Sequence, residues 1–351
     1  MLSMQKNYLG TDVSKLWFDV SLMRVNNGQK HEIITERFDN TDAGLKLFAK
    51  WLKSHGVTFC SNSMMVIENT GIYHRRLWAF CTTKNLPLYI GNAASLKYSF
   101  GIARGKNDVV DSKRLCAYAY KEADILQATP GLDPVILTLK DLMTGRNKLV
   151  TQRNTIRTSL KELEGTNNRS TQLMMEKSFK DVLNGFELSI AKLEIEINKI
   201  LNKNEAIKTN YKYLISVPGI GHLTALLIIT CTANFAYKVS GKKLACYAGV
   251  VPFEETSGTS IKRKGKVHRM ANKELKKMLH MSSLTAIRCY PEFKDYYNRK
   301  KAEGKPSMAV LNAIKNKIIL RAAAVVINQR MYVKKIDMDL SKNSQICLVA
   351  S

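Results

Sequence analysis

The sequence predicts a mixed α/β fold over its first third and a mostly α-helical remainder. Short apolar runs with alternating polar residues, typical of strands, are interleaved with segments of helical spacing up to about residue 128. Pro130-Gly131-Leu132-Asp133-Pro134 interrupts this pattern, and apolar residues recur beyond it mainly at helical intervals. We therefore predict three domains: an α/β domain over 1–128, a coiled-coil or helical linker over 129–205, and a mostly α-helical domain over 206–345.

The order of elements in the first domain predicts its topology. Strands are expected at 8–13, 16–25, 31–38, 64–68 and 87–90, and helices between the caps at 40–42 and Gly56, at 74–84, from 93 and at 108–121. Three strands followed by helix, strand, helix, strand and helix is the order of a ribonuclease H-like domain. In that arrangement the first three strands form an antiparallel meander, and the fourth lies parallel beside the first.

Four carboxylates fall where this topology brings the chain together. Asp12 lies on the first strand, Glu68 ends the fourth, and Asp108 and Asp111 share one face of the last helix. A simpler interpretation is that Asp108 caps this helix and Asp111 favours its positive end. Clustered carboxylates repel one another, however, unless cations lie among them. Oxygen ligands without Cys or His predict Mg²⁺ or Mn²⁺, of which a pair could clamp a phosphodiester.

The charge balance points to a polyanionic partner. The 351 residues include 55 Lys and Arg against 29 Asp and Glu, a formal net charge of +26. Such an excess favours nucleic acid over an anionic membrane. The longest apolar run, 223–229, is too short to span a bilayer, and no apolar signal segment opens the chain. Seven cysteines without Cys-x-x-Cys spacing favour a reduced, cytoplasmic protein.

The middle segment has coiled-coil character. Leu139, Leu142, Leu149, Ile156, Leu160 and Leu163 follow three- and four-residue spacing, and the rhythm resumes from Leu183 to Ile200. Arg146 and Arg153 occupy two seam positions of the first helix. The pattern fits an antiparallel hairpin, an intermolecular coiled coil or an ordinary helical pair. The two arginines could equally face outward to a phosphate backbone.

The last third contains two candidate nucleic-acid contacts. A helix-hairpin-helix-like element at 213–225 turns at Gly219 and Gly221, whose exposed amides could hold a phosphate. The alternative is that these glycines serve only the turn. A basic run follows, comprising Lys262, Arg263, Lys264, Lys266, Arg269, Lys273, Lys276 and Lys277. Its density favours phosphate contact over a solvated face.

These motifs resemble one known family. Gly10-Thr11-Asp12-Val13, Glu68-Asn69-Thr70-Gly71 and Lys106-Asn107-Asp108-Val109-Val110-Asp111 resemble the three acidic motifs of the DEDD transposases of bacterial insertion sequences. That family includes the Piv-type DNA invertases, and its N-terminal domain is similar to the RuvC junction resolvase. Gly249, Pro252, Ser257-Gly258 and Asn272 match the family's C-terminal transposase domain.

The resemblance implies a DNA transposase or recombinase that cuts and rejoins donor and target DNA. Asp12, Glu68, Asp108 and Asp111 would hold the metal, and Ser257 would be the nucleophile, with Ser260 as the local alternative. It further implies a homo-oligomer, dimer or tetramer, joined through the coiled coil. A structured guide RNA encoded by the element is a further expected partner. The expected location is the bacterial cytoplasm, at the nucleoid when DNA is bound.

Two other functions remain open at this stage. A hydrolytic RuvC-like junction nuclease would use the same acids and water, with Ser257 as an ordinary loop residue. A non-catalytic nucleic-acid-binding protein would use the basic residues alone, with structural acids. Trapping of a protein–DNA adduct would distinguish the recombinase from the hydrolytic nuclease. Metal-dependent strand cleavage would distinguish either enzyme from a non-catalytic binding protein.

Overall fold

We describe the fold from a computed structural model, which describes residues 5–100, 107–164, 168–257, 261–267 and 270–333. The chain divides into two compact units, Met1–Asp133 and Pro134–Ser351. The division into three domains at 128 and 205 stays a prediction. Among the helices of these described ranges, none combines the length and apolarity needed to cross a bilayer.

The first unit is a twisted sheet with helices on both faces. Its strands are β1 Gln5–Val13, β2 Trp17–Asn26, β3 Gln29–Lys30, β4 Ile34–Asp39, β5 Ser63–Glu68 and β6 Leu88–Gly91. Its helices are α1 Asp42–Ser54, α2 Arg75–Lys84, α3 Ala93–Ser99 and α4 Asp108–Lys121. β2 pairs antiparallel with β1 and β4, whereas β5 lies parallel to β1 and β6 parallel to β5. The predicted meander and parallel fourth strand are therefore confirmed.

The predicted third strand is interrupted. We expected one strand over 31–38, but β3 ends at Lys30 and β4 begins only at Ile34. Both pairs are made with β2, so the two short strands lie along the same edge. Asn27 and Gly28 have positive φ angles of 50° and 83°, as a tight two-residue hairpin requires, and this turn starts the pairing earlier than the sequence pattern indicated.

The two faces of the sheet carry different side chains because successive strand residues point to opposite sides. Leu9, Phe18 and Val20 pack in one core with Phe48 of α1. Tyr8, Met23, Val25 and Val66 pack on the other face with Leu115, Cys116 and Ala119 of α4. The same alternation places the carboxylate-bearing positions of β1, β2 and β5 on the α4 face. α4 therefore determines what surrounds the acids.

The second unit is mostly helical, as predicted. Its helices are α5 Pro134–Leu163, α6 Arg169–Lys203, α7 Glu205–Ile215, α8 His222–Cys231, α9 Gly241–Tyr247, α10 Lys273–Cys289, α11 Pro291–Ala302 and α12 Ser307–Ile327. An antiparallel hairpin, β7 Pro252–Ser257 and β8 Ile261–Val267, interrupts the helices. This hairpin is not predictable from the sequence pattern, because its second strand is a charged run without apolar alternation.

α5 and α6 form an antiparallel hairpin within the chain. Arg146 of α5 pairs with Glu194 of α6 at 2.7 Å, and Arg153 pairs with Glu187 at 2.9 Å. The alternative that both arginines face outward is therefore wrong: they complete the helical seam through ion pairs. The base of the hairpin is buried in the core of the second unit, where Leu139 and Ile197 pack with residues of α7, α8 and α12.

Candidate nucleic-acid-processing site

Gly10 allows α4 to lie directly on β1. A Cβ atom at this position would be 1.9 Å from the backbone nitrogen of Cys116 and 2.3 Å from the carbonyl oxygen of Ser112. The two elements are also bonded, since Cys116 Sγ donates to the carbonyl oxygen of Tyr8 at 3.1 Å. Ser112 Oγ lies 2.8 Å from Ser21 Oγ of β2. This close packing places the first turn of α4 against the strand end that carries Asp12.

Asp12 lies among several other carboxylates. Burial, followed by the negative charges of Asp108, Asp111, Glu68 and Asp19 in that order, raises the pKa of Asp12 to about 6. The four acids predicted from the sequence therefore interact electrostatically at one place in the first unit. Their roles in catalysis and metal binding stay predictions.

Asp19 is a fifth acid near this cluster, and its place there was not predicted from the sequence. It lies directly opposite Asp12 in the β1–β2 register and is 2% exposed. Arg37 of β4 donates two hydrogen bonds to it, from Nε at 3.0 Å and from Nη2 at 2.9 Å. In the sequence, Asp19 was one of the polar residues of a half-buried strand. α4 covers that side of the sheet, and Asp19 is therefore buried and needs a cation beside it.

Arginines also lie beside both acids of α4. Arg37 Nη2 is 3.6 Å from Asp108 Oδ2, and the indole Nε1 of Trp17 approaches the same oxygen at 3.5 Å. Arg114 Nη1 donates to Asp111 Oδ1 at 2.8 Å. Part of the negative charge of this cluster is thus balanced within the protein.

The cap of α4 excludes the simpler interpretation of Asp108. Asn107 is the N-cap residue, and its side chain accepts a hydrogen bond from the backbone nitrogen of Val109 at 3.1 Å. Asp108 therefore does not cap the helix, although it and Asp111 both lie in the first turn, where negative charge is favourable. The carboxylate of Asp108 is directed to Arg37 and Trp17 instead.

The donor set fits a hard divalent cation in its chemistry. The acids around Asp12 offer only carboxylate oxygens, the ligands that magnesium and manganese prefer. As the side chains are placed, no three Asp, Glu, His or Cys residues of the described ranges converge closely enough to bind one ion. Asp108 and Asp111 are turned to arginines, so ion binding requires rotation of these side chains. The raised pKa of Asp12 indicates where additional positive charge is needed.

The candidate nucleophile lies at the end of a strand of the second unit. Ser257 is the last residue of β7 and is paired with Ile261 across the hairpin. Gly258, Thr259 and Ser260 are outside the described residues, as is Arg269. The backbone of β8 carries Lys262, Arg263, Lys264 and Lys266, and Lys273 is the exposed first residue of α10. The basic run is therefore divided between a strand and a helix start.

The two glycines of the α7–α8 turn differ in their surroundings. Gly219 has a φ of 90°, and a Cβ there would be 2.7 Å from the carbonyl oxygen of Ser282, so this turn needs glycine for conformation and packing. Gly221 is exposed, precedes α8 as its N-cap residue, and would place a Cβ in open space. A phosphate contact at either glycine stays a prediction. Of the two, Gly221 is the one whose surroundings leave room for a phosphate.

Asn272 also has a clear structural role. Its side chain caps α10 by accepting from the backbone nitrogen of Leu275 at 2.9 Å, and its Nδ2 donates to the Tyr247 hydroxyl at 2.8 Å. Its backbone nitrogen donates to the carbonyl oxygen of Tyr247 at 2.8 Å. Asn272 thus joins α9 to the start of α10, just beyond the basic hairpin.

Comparisons with known proteins give concordant results. A DEDD transposase model of the IS110 type matches residues 9–163, and a model described as the transposase IS116/IS110/IS902 family matches residues 211–298. Together the two matches cover well over half of the chain.

Individual relatives agree with these matches. The pilin gene-inverting protein of Moraxella bovis is 27% identical over 95% of this chain and 99% of its own length. The protein of the same name from Moraxella lacunata has the same identity and coverage. An insertion element IS110 protein of 43.6 kDa from Streptomyces coelicolor is 30% identical over 36% of this chain and 30% of its own length.

Proposed function

This protein belongs to the IS110 family of DEDD transposases, which cut and rejoin DNA, and we propose that it divides this chemistry between its two units. The ribonuclease H-like first unit binds divalent metal through Asp12, Glu68, Asp108 and Asp111. The second unit supplies Ser257 as the nucleophile and holds the nucleic-acid backbone. The observation that carries the proposal is the set of carboxylates around Asp12, where burial and then their negative charges raise the pKa of Asp12.

The acids would act together rather than singly. Members of the family use divalent metal ions, which supply positive charge to the phosphodiester oxygens and favour loss of a proton from a hydroxyl group. Asp12 is fixed by β1, and Asp108 and Asp111 are fixed by α4, so their spacing depends on the contact at Gly10. Asp19 keeps Arg37 in place beside Asp108 and is a positioning residue.

Ser257 would form a transient covalent bond to DNA. Its Oγ forms a bond to a backbone phosphorus, and the bond from that phosphorus to the adjoining sugar oxygen breaks. The serine proton leaves, and the departing sugar oxygen gains a proton. The phosphodiester is thereby conserved as a serine ester, and attack by a sugar hydroxyl on this ester rejoins a strand and frees the serine. An unassisted serine is a weak nucleophile, so this step requires the acidic site.

The partners follow from charge and exposed apolar surface. The formal net charge of +26 supports contact with donor DNA, target DNA and a structured guide RNA. α6 exposes Met174, Leu188 and Ile195 to the extent of 67%, 65% and 54%. These positions are multiples of seven residues apart, so they lie on one side of the helix. This apolar stripe supports assembly of a dimer or tetramer through the α5–α6 hairpin.

The test is a search for the covalent intermediate. Wild-type protein, Ser257→Ala and Ser260→Ala are incubated with end-labelled DNA carrying the element ends and Mg²⁺, then resolved on a denaturing gel. We expect an adduct with wild type and Ser260→Ala and none with Ser257→Ala, while all three bind DNA alike. An adduct that persists in Ser257→Ala moves the nucleophile to Ser260 or Thr256. Cleavage by wild type without any adduct favours the hydrolytic nuclease instead.

A further inference from the structure

A buried lysine in the second unit has no carboxylate partner among the described side chains. Lys315 lies in the middle of α12 and is 3% exposed. Burial, and then the positive charge of Lys276 on α10, lower the pKa of Lys315. Within the described part of the chain, no carboxylate acts on it to offset these effects. A buried ammonium group is costly unless it is paired, so a lysine in this environment favours an anion from outside the protein.

Two further polar side chains lie near these lysines along α10 and α12. His280 lies one turn beyond Lys276 on α10, and its Nδ1 is buried without a hydrogen-bond partner in the described residues. Asn316 follows Lys315, and its Oδ1 is also buried without a hydrogen-bond partner in the described residues. Lys276 is only partly buried, so a ligand can approach this region from the solvent on that side. Two positive groups and two unmet polar atoms thus occur on adjoining helices.

This region lies at the base of the β7–β8 hairpin. Asn312, one turn before Lys315, donates from Nδ2 to the carbonyl oxygen of Val250 at 2.7 Å, two residues before β7 begins. Lys276 lies beside Gly249, where a Cβ would be 3.6 Å from its Cδ and 3.2 Å from Cγ1 of Val267, the last residue of β8. Lys276 is therefore close to the end of β8, and Lys315 is one turn from the residue that contacts the segment before β7.

We propose that Lys315 and Lys276 form a binding site for a backbone phosphate of nucleic acid at the base of the β7–β8 hairpin. The proposal rests on the proposed function for the identity of its ligand, but the anion requirement of Lys315 is independent of it. A strand that follows the basic residues of β8 toward its end at Val267 reaches this site. The phosphate would provide the negative charge that α10 and α12 lack at this point. The site anchors the strand and reads no base.

The experiment measures the salt dependence of binding for matched lysine variants. Lys315→Met and Lys276→Met keep the aliphatic stem and remove the charge. Lys317→Met makes the same change at an exposed lysine of α12 and serves as the control. Affinity for a labelled DNA duplex is measured by fluorescence anisotropy over a range of KCl concentrations. Each of the first two variants is expected to bind roughly tenfold more weakly. Each should also flatten the slope of log K against log salt by about one unit.

A second measurement uses inorganic phosphate as the probe. At matched ionic strength, phosphate is expected to raise the unfolding temperature of the wild type and Lys317→Met above that in chloride, but not that of Lys315→Met. Without phosphate, Lys315→Met should be at least as stable as wild type, because it removes an unpaired buried charge. Should Lys315→Met not fold, the effect of phosphate on the unfolding temperature is measured with Lys276→Met instead, since Lys276 is only half buried.

The outcomes separate this site from the proposed function. A salt slope and affinity equal to the Lys317→Met values in both variants would overturn the site. Loss of the phosphate effect with an unchanged salt slope would overturn the assignment to nucleic acid and leave a site for free anions. If wild type itself binds no DNA, the proposed function fails, whereas the phosphate measurement still decides whether Lys315 binds an anion.

Discussion

The two units of this protein handle charge in opposite ways. In the first, five carboxylates lie near one another, and arginines at 2.8 to 3.6 Å already accompany Asp19, Asp108 and Asp111. In the second, positive side chains accumulate on β8 and α10, and the buried Lys315 has only another lysine among the charges that act on it in the described residues. A compact negative site suits a small cation, whereas an extended positive surface suits a polyanion.

The largest expected effect comes from moving the acids of α4 away from Asp12. Gly10→Ala introduces a methyl group within 2.3 Å of the backbone of α4, which must shift. We expect a loss of about 3 kcal/mol or more in unfolding free energy, and weaker metal binding by the displaced acids of α4. Thermal unfolding and Mg²⁺ titration by calorimetry measure both effects. Gly185→Ala, in α6 with open space around its Cβ, is the control and should unfold at or slightly above the wild-type temperature. An unchanged Gly10→Ala protein would mean that α4 does not need this close contact.

The second prediction concerns the positive surface. Replacing Lys262, Arg263 and Lys264 together by methionine is expected to weaken DNA binding roughly a hundredfold, regardless of sequence. The slope of log K against log salt should fall by up to about three units, one for each phosphate contact. Filter binding with two unrelated duplexes measures this. A slope equal to that of the wild type would mean that these three residues contact solvent rather than phosphates.

The third prediction tests whether the buried Asp19 depends on the positive charge of Arg37. Arg37→Gln leaves the buried Asp19 carboxylate without its two hydrogen bonds, and we expect a loss of about 2 kcal/mol, because Arg37 itself is half exposed. Urea unfolding provides the measurement. Arg157→Gln removes an exposed ion pair with Glu187 and should change stability by less than about 0.5 kcal/mol. Equal effects of the two substitutions would mean that Asp19 does not depend on Arg37.

The smallest expected effect concerns the repulsion at Asp12. Its folded pKa of about 6 lies above the usual value, so the charged form destabilises the folded protein. This penalty is absent below about pH 4 and complete above about pH 6. Without metal, Asp12→Asn should therefore be more stable than wild type by about 1 kcal/mol at pH 7.5, after allowance for partial exposure, and not at pH 4. Thermal unfolding in EDTA at both pH values tests this, with the exposed Glu36→Gln as control. A gain at pH 4 as large as at pH 7.5 would contradict it.

The sequence was most informative where chain order and local chemistry agree. The helix 108–121 and the meander were predictable because caps and alternation are local signals. Four acids followed from the strand order. Asp19 and Arg37 were not predictable, since their importance arises from a cross-strand pair covered by α4. The β7–β8 hairpin escaped prediction because its basic strand has no apolar alternation. Lys315 was overlooked because helical spacing does not reveal that a lysine is buried.

The most direct test of the account is whether covalent capture of DNA requires the acidic site. Wild type and Asp12→Asn are compared on end-labelled DNA with Mg²⁺, after both have been shown to fold and to bind the DNA equally. We predict a Ser257–DNA adduct with wild type and none with Asp12→Asn, because the serine cannot be activated without the carboxylates around Asp12. An adduct formed by Asp12→Asn at the wild-type rate would contradict the account.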